Sequence, residues 1–271
     1  MTFPAPTPSA PATAPLLEFD AAIFDMDGVL TKTAAVHSAA WKRMFDEYLR
    51  RRSTRIAGEA FHEFTHAHDY LRFVDGRPRY RGVEAFLASR GVALPFGTPD
   101  DPTGLETVCG LGNRKNELFN EILRSEGVEV YDSTLTLIAQ LRDRGVRIGL
   151  ATSSKNSALV LEKSGTRSLF SAVIDGLVSE KLGLHGKPAP DIFLAAANAL
   201  SAAPDRTIVV EDAASGVRAA ADGEFVFVIG VAREGNAKEL RDHGADLVVG
   251  DLSEIHVDFI SQQIRTKRRG R

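Results

Sequence analysis

Four short segments carry side chains that could do chemistry together. They are Asp25-Met26-Asp27-Gly28-Val29-Leu30, Thr152-Ser153-Ser154-Lys155, Gly186-Lys187-Pro188 and Glu211-Asp212-Ala213-Ala214-Ser215-Gly216. Each has an ordinary explanation on its own, because an Asp that closes a strand commonly caps a helix or shapes a turn. As a set they suit phosphoryl transfer through an aspartyl-phosphate. A carboxylate approaching a phosphate dianion is repelled by about 4 kcal/mol per unit pair at roughly 4 Å and an effective dielectric near 20. That is about three decades of rate. A divalent oxygen-seeking cation and a fixed ammonium remove the penalty, and Mg²⁺ suits a site of few carboxylates plus substrate oxygens. Asp25 and Asp212, with Glu211 beside them, supply the metal side, while Lys187 and Thr152 take the remaining phosphate oxygens. Asp27 precedes the flexible Gly28 and is free to carry the proton of the leaving oxygen.

Such residues need elements to hold them at one place. Apolar runs at 21–27, 146–153, 172–177, 207–212, 225–231 and 246–251 are continuous rather than alternating, as in strands buried on both faces. Helical patterns separate the later runs, and several of them stop at Gly. Strand alternating with helix predicts an α/β fold, a Rossmann-like doubly wound parallel sheet. The interval between the first two runs reads helical and is too long for a crossover, so it is expected to form an inserted helical cap. The resulting organisation is a Pro/Ala-rich lead-in at 1–15, a catalytic core at 16–33 plus 130–262, a cap at 34–129 and a frayed basic tail at 263–271. In such a sheet ligands bind beyond the carboxyl ends of the strands, and all four chemical segments fall there.

Composition narrows the field further. The 271 residues include 33 Lys+Arg against 36 Asp+Glu, a net charge of −3, with 44% hydrophobic residues. This is an ordinary globular composition, with no electrostatic case for a nucleic-acid partner and no apolar run long enough to span a bilayer. The first residues lack the basic and apolar regions of a signal peptide. One cysteine, Cys109, accords with a reducing cytoplasm. A cytoplasmic monomer acting on a small molecule is expected.

DMDGVL, Thr152, Lys187 and EDAASG together resemble the four motifs of the haloacid dehalogenase superfamily. The chain is most similar to the β-phosphoglucomutase family, through Asp25 to Thr33, His37, Trp41, Lys42, Gly112-Asn113-Arg114-Lys115-Asn116, Ala151 to Asn156 and GKPAPDIFLAAA. The resemblance implies Asp25 as the phosphorylated nucleophile and Asp27 as general acid/base. It implies Mg²⁺ held by Asp25, the main-chain carbonyl of Asp27, Glu211 and Asp212. Thr152 and Lys187 would bind the transferring phosphoryl group. His37 would couple cap closure to proton transfer, and Trp41, Lys115, Ser154, Lys155 and Asn156 would meet the sugar phosphate. Arg79 is the candidate for the distal phosphate. The implied reaction interconverts β-glucose 1-phosphate and glucose 6-phosphate, with β-glucose 1,6-bisphosphate as activator and intermediate. Three departures bear on substrate identity: Lys32 and Arg81 stand where acids are usual, and the cap is long.

Other readings compete. His62-Glu63-Phe64-Thr65-His66 fits the H-E-x-x-H zinc pattern, which requires both His on one helical face. A non-catalytic sugar-phosphate binder would be expected to lack an essential acid, and none is lacking. A sugar-phosphate phosphatase shares the aspartyl-phosphate and differs only in using water as acceptor.

Overall fold

The computed structural model describes residues 16–74 and 77–270. The lead-in at 1–15 and the final Arg271 lie outside the described residues. In chain order the elements are β1 (Ala21–Phe24), α1 (Thr33–Arg55), a π-helix (His66–Val74), α2 (Arg79–Ser89), α3 (Val108–Glu126), α4 (Asp132–Asp143), β2 (Arg147–Ala151) and α5 (Ser157–Lys163). There follow β3 (Ala172–Ile174), α6 (Gly176–Leu182), α7 (Asp191–Ala199), β4 (Thr207–Glu211), α8 (Ala214–Asp222), β5 (Phe227–Val231), α9 (Ala237–Asp242), β6 (Leu247–Val249) and α10 (Val257–Arg269). The six strands form one sheet in the order β3-β2-β1-β4-β5-β6, and every pairing is parallel.

The continuous apolar runs have a direct cause in this sheet. Successive strand side chains point to opposite faces, and both faces are covered. On β1, Ala22 and Phe24 enter one core while Ala21 and Ile23 enter the other; on β4, Ile208 and Val210 divide from Val209 in the same way. The first core continues into the cap, where Phe45, Phe64 and Phe86 form a triangle with ring centroids 4.0 to 5.2 Å apart. Burying each ring contributes about 1.5–3 kcal/mol, which stabilises the insertion without a sheet of its own.

Two elements differ from the sequence reading. The basic tail is ordered: residues 263–269 are the end of α10. Arg265 and Arg268 both pair with Glu18, and Lys267 pairs with Asp246. Ile260 and Ile264 are buried, and this apolar stripe at helical spacing anchors a helix whose basic residues alone suggested fraying. The run at 172–177 is divided. Asp175 accepts from the main-chain N–H groups of Leu177 and Val178, so it caps α6 and ends β3 early.

The chain passes between core and cap twice, and the crossings are tied together. Lys32 N donates to the Glu129 carbonyl at 2.8 Å, and Tyr131 N donates to the Leu30 carbonyl at 3.0 Å. The Lys32 ammonium adds an exposed ion pair to Glu129 at 2.7 Å. The unusual base at 32 therefore acts on the hinge and pairs away from the acid cluster.

Candidate active site

The carboxyl edge of β1 and β4 gathers the acids. Phe24 pairs with Val210, and Asp25 N continues that register by donating to the Val210 carbonyl at 2.9 Å, which sets Asp25 beside Glu211. Lys187 reaches between them: its Nζ donates to Asp25 Oδ1 and Glu211 Oε1, each at 2.5 Å. After Asp25 the strand folds into a tight turn in which Leu30 N and Thr31 N both donate to the Met26 carbonyl. Gly28 makes this possible. Its φ is +79°, and a Cβ there would lie 1.8 Å from Asp212 Oδ2. Gly216 serves Glu211 likewise, since its Cβ would meet Glu211 Oε1 at 1.8 Å.

Four carboxylates share one buried ammonium. Burial pushes the Asp25 carboxyl up, to about 8; Lys187 pulls against this and the charges of Glu211 and Asp27 add to it. Burial and the charges of Glu211 and Asp25 likewise hold Asp212 well above the usual carboxylate range. Burial opposes the charge on Lys187, but Asp25 and Glu211 more than offset it and raise its pKa. Although Lys187 pairs with Asp25, the carboxyl still rises: one cation cannot neutralise all four acids, so the Asp25–Asp212 pair takes up protons while Lys187 stays charged. A surplus of hard oxygen donors fits a divalent cation such as Mg²⁺.

Both oxygens of Glu211 are engaged, Oε1 by Lys187 and Oε2 by the main-chain N–H groups of Asp212 and Ala213. Glu211 thus supports Lys187 and the Asp212 loop, while Asp25 shares the same ammonium through Oδ1. The family resemblance gives Glu211 to the metal together with Asp25 and Asp212, and the structure adds the hydrogen bonds that fix its orientation.

Asp27 turns from the sheet toward the cap, and its side chain keeps 32% of its exposure. The Thr33 hydroxyl donates to Asp27 Oδ1. Burial pushes Asp27 upward against that hydrogen bond, which favours a proton-carrying carboxyl. His37 Nε2 lies 4.0 Å from Asp27 Oδ1, beyond hydrogen-bond reach. Burial, with the charges of Lys115 and Arg79, holds His37 well below its ordinary value, so it is a neutral ring. Lys115 Nζ and His37 Nδ1 share a hydrogen bond at 2.6 Å; a protonated Lys115 donates it and leaves the ring proton on Nε2, the nitrogen facing Asp27.

On the cap, Lys115 is only 4% exposed and sits over the rings of Phe119 and Trp41. Arg79 Nη2 and Asn156 Nδ2 both donate to Asn116 Oδ1 at 2.8 Å, a link from cap to core. Arg79, Lys115, His37 and Asn156 are therefore brought together. Trp41 is not at the surface of the site: it is 4% exposed and supports Lys115 from behind. Lys155 pairs with Glu180 at 2.9 Å. Thr152 Oγ1 accepts from Ser154 N, and Ser154 Oγ accepts from Asn156 N, so these hydroxyls shape the loop that presents Asn156. Arg81 is exposed and pairs with Glu84. Sequence reasoning passed over Asn116 as a bridging group, although it lies in the segment quoted for Lys115. Thr33 was noted for its setting but not as a partner of Asp27.

The zinc pattern does not assemble. Residues 61–65 are not helical and the π-helix starts at His66, so His62 and His66 do not share a helical face. Glu63 pairs with Lys42, and His66 Nδ1 contacts the Ser38 hydroxyl. Among the described residues no helix is long and apolar enough to cross a membrane.

Lys115 gives a pH test. Burial and Arg79 lower its pKa from the ordinary 10.5 to about 7, with Asp27 opposing. The unfolded chain therefore binds the extra proton between those values, so the stability cost of Lys115 is full below pH 7 and fades as pH rises toward 10.5. Lys115→Met is expected to resist urea better than wild type at about pH 6 and to lose that advantage by about pH 10. A difference independent of pH would reject the assignment.

A parallel sheet with Asp25, Asp27, Thr152, Lys187 and Asp212 at its carboxyl edge, under a helical insertion, defines a phosphoryl-transfer α/β enzyme. The chain belongs to the haloacid dehalogenase-like hydrolases, whose family model matches residues 19–223. Within that class its sequence is 45% identical over 238 residues to a β-phosphoglucomutase of Mycobacterium tuberculosis, covering 87% of this chain and 90% of the relative. It is 26% identical to a phosphorylated carbohydrates phosphatase of Thermotoga maritima, over 85% of this chain and 94% of the relative. The crystal structure of a β-phosphoglucomutase from Clostridium difficile shares the fold, with a TM-score of 0.69 at 22% identity, covering 92% of this chain and 98% of that one.

Proposed function

We propose that the protein is a Mg²⁺-dependent β-phosphoglucomutase that interconverts β-glucose 1-phosphate and glucose 6-phosphate through an aspartyl-phosphate on Asp25 and β-glucose 1,6-bisphosphate. The observation that carries this reading is that basic side chains act on Asp27 from two sides, Lys187 among the acids and Lys115, beside Arg79, on the cap. A bisphosphate needs a site for each phosphate. The similarity to the mycobacterial relative supports the same reading.

Asp25 Oδ2, opposite the oxygen that holds Lys187, is the free attacking oxygen. Lys187 neutralises charge on the phosphoryl oxygens, and Thr152 positions them. Mg²⁺, held by Asp25, Asp212 and the carbonyl of Asp27, would supply further neutralisation of the phosphate charge. Asp27, oriented by Thr33, gives its proton to the leaving sugar oxygen and takes one back from the sugar hydroxyl that attacks Asp25-phosphate. Lys115 and Arg79 hold the second phosphate while the sugar reorients.

The second reading, a sugar-phosphate phosphatase, is favoured by the Thermotoga relative. Water would then replace the sugar hydroxyl as acceptor. The two are separated by supplying β-glucose 1-phosphate, Mg²⁺ and a bisphosphate primer and following glucose 6-phosphate and free phosphate together. Glucose 6-phosphate forming faster than free phosphate is expected. Free phosphate without glucose 6-phosphate would establish the phosphatase instead.

A further inference from the structure

The loop after β5, Ala232 to Asn236, contributes no group to the chemistry above, yet two of its side chains hold the main chain of both acid-bearing loops. Arg233 Nε donates to the Gly28 carbonyl at 3.1 Å, and Asn236 Nδ2 donates to the Asp212 carbonyl at 2.9 Å. These contacts bear on the spacing of the acids because Gly28 lies against Asp212: a Cβ on Gly28 would meet Asp212 Oδ2 at 1.8 Å. Any shift of the Gly28 main chain therefore changes the room left for the Asp212 carboxylate.

Arg233 is itself fixed from three sides. Its guanidinium stacks over the Tyr131 ring at 3.5 Å, and Nη1 donates to Asp251 Oδ2. Asp251 is oriented by the Ser133 hydroxyl at 2.9 Å and by Ser253 N at 3.0 Å. Tyr131 is the hinge residue whose N–H bonds to the Leu30 carbonyl, so Arg233 joins the hinge to the turn that carries Asp27.

The arrangement is poor as a stabilising device. Arg233 Nη2 and Asn236 Oδ1 are buried without a hydrogen-bond partner among the described residues, and burying a polar atom with its bond unmade is destabilising. Side chains that hold functional loops at such a cost mark a site where position matters more than stability.

We propose that Arg233, assisted by Asn236, is a positioning residue that sets the spacing between the Asp25–Asp27 turn and Asp212, and through it the affinity for the divalent cation. This rests on the reading of Asp25 and Asp212 as the cation site. Both residues act on main-chain carbonyls of the acid-bearing loops. They act as outer partners do in metal sites, where removal typically weakens metal binding about 10- to 100-fold.

The test uses Mn²⁺ as the probe, titrated into the whole protein without substrate while electron paramagnetic resonance reports the free ion. Wild type should bind one Mn²⁺. Arg233→Met should weaken that binding by about 10-fold. Arg233→Lys should fall between them, because an ammonium keeps the charge but cannot span Gly28 and Asp251 as a fork does. Asn236→Ala, which leaves the Tyr131 stack intact, should also weaken binding, and it decides the matter if Arg233→Met does not fold. With saturating Mg²⁺, KM for the sugar phosphate should stay at the wild-type value. Wild-type Mn²⁺ affinity in folded Arg233→Lys and Asn236→Ala would overturn the positioning role alone. Absence of Mn²⁺ binding by wild type would overturn the cation site and the proposal with it.

Discussion

Asp25→Asn is expected to lose at least about 10⁴-fold in kcat/KM, because an amide oxygen cannot attack phosphorus and no neighbouring group substitutes for it. The same substitution is expected to stabilise the cation-free protein. In the folded state burial pushes the Asp25 carboxyl up to about 8, against 3.8 for an ordinary Asp. A carboxyl whose folded value is raised contributes stability that is full below the unfolded value and is lost as pH rises through the folded one. Wild type without metal should therefore lose stability between about pH 4 and pH 8, and Asp25→Asn should show a shallower decline over that window. Urea titrations with a chelator present measure the slope. Mass spectrometry after incubation with a phosphoryl donor supplies the second readout, a phosphorylated wild-type species that is missing from the variant. Turnover retained by Asp25→Asn would remove it as the nucleophile.

Asp27→Asn follows, with a loss of about 10²- to 10⁴-fold on sugar phosphates, the range of general acid–base catalysis. Its effect should depend on the leaving group. A sugar oxygen leaves poorly without a proton, whereas the phenolate of an activated aryl phosphate leaves unaided. Formation of phosphorylated Asp25 from an aryl phosphate should therefore survive in Asp27→Asn far better than formation from β-glucose 1-phosphate. Equal losses on the two donors would assign Asp27 to positioning rather than proton transfer. Thr33→Val should move in the same direction with a smaller effect, since the Thr33 hydroxyl is the hydrogen bond that orients Asp27 Oδ1.

The fold was largely legible because its signals are local. The apolar runs at 21–27, 146–153, 207–212 and 225–231 read as continuous since both faces of the sheet are buried, and the observed strands fall within them, at 21–24, 147–151, 207–211 and 227–231. The errors lie where tertiary contacts override a local impression. The end of α10 looked like a solvated basic tail, but Ile260 and Ile264 dock it and Glu18 and Asp246 pair its charges. The competing zinc reading fails for the same reason, since His62 and His66 match a spacing without the helix that would make it meaningful.

What the sequence determined by itself was the kind of chemistry: which residue types stand at strand ends, in what order, and that they suit phosphoryl transfer. Those features depend on side-chain identity and on the strand period of the chain. Only the tertiary structure decided which oxygen belongs to which partner. Lys187 lies 162 residues from Asp25 and 24 from Glu211 in the chain, and only folding lets one ammonium bridge the two acids while the amides of Asp212 and Ala213 hold Glu211 Oε2. Arg233 and Asn236 carried no motif and became visible only through the carbonyls they hold. A lone pair is occupied or free according to neighbours folded in from distant parts of the chain, and their distances are set by packing rather than by spacing along it.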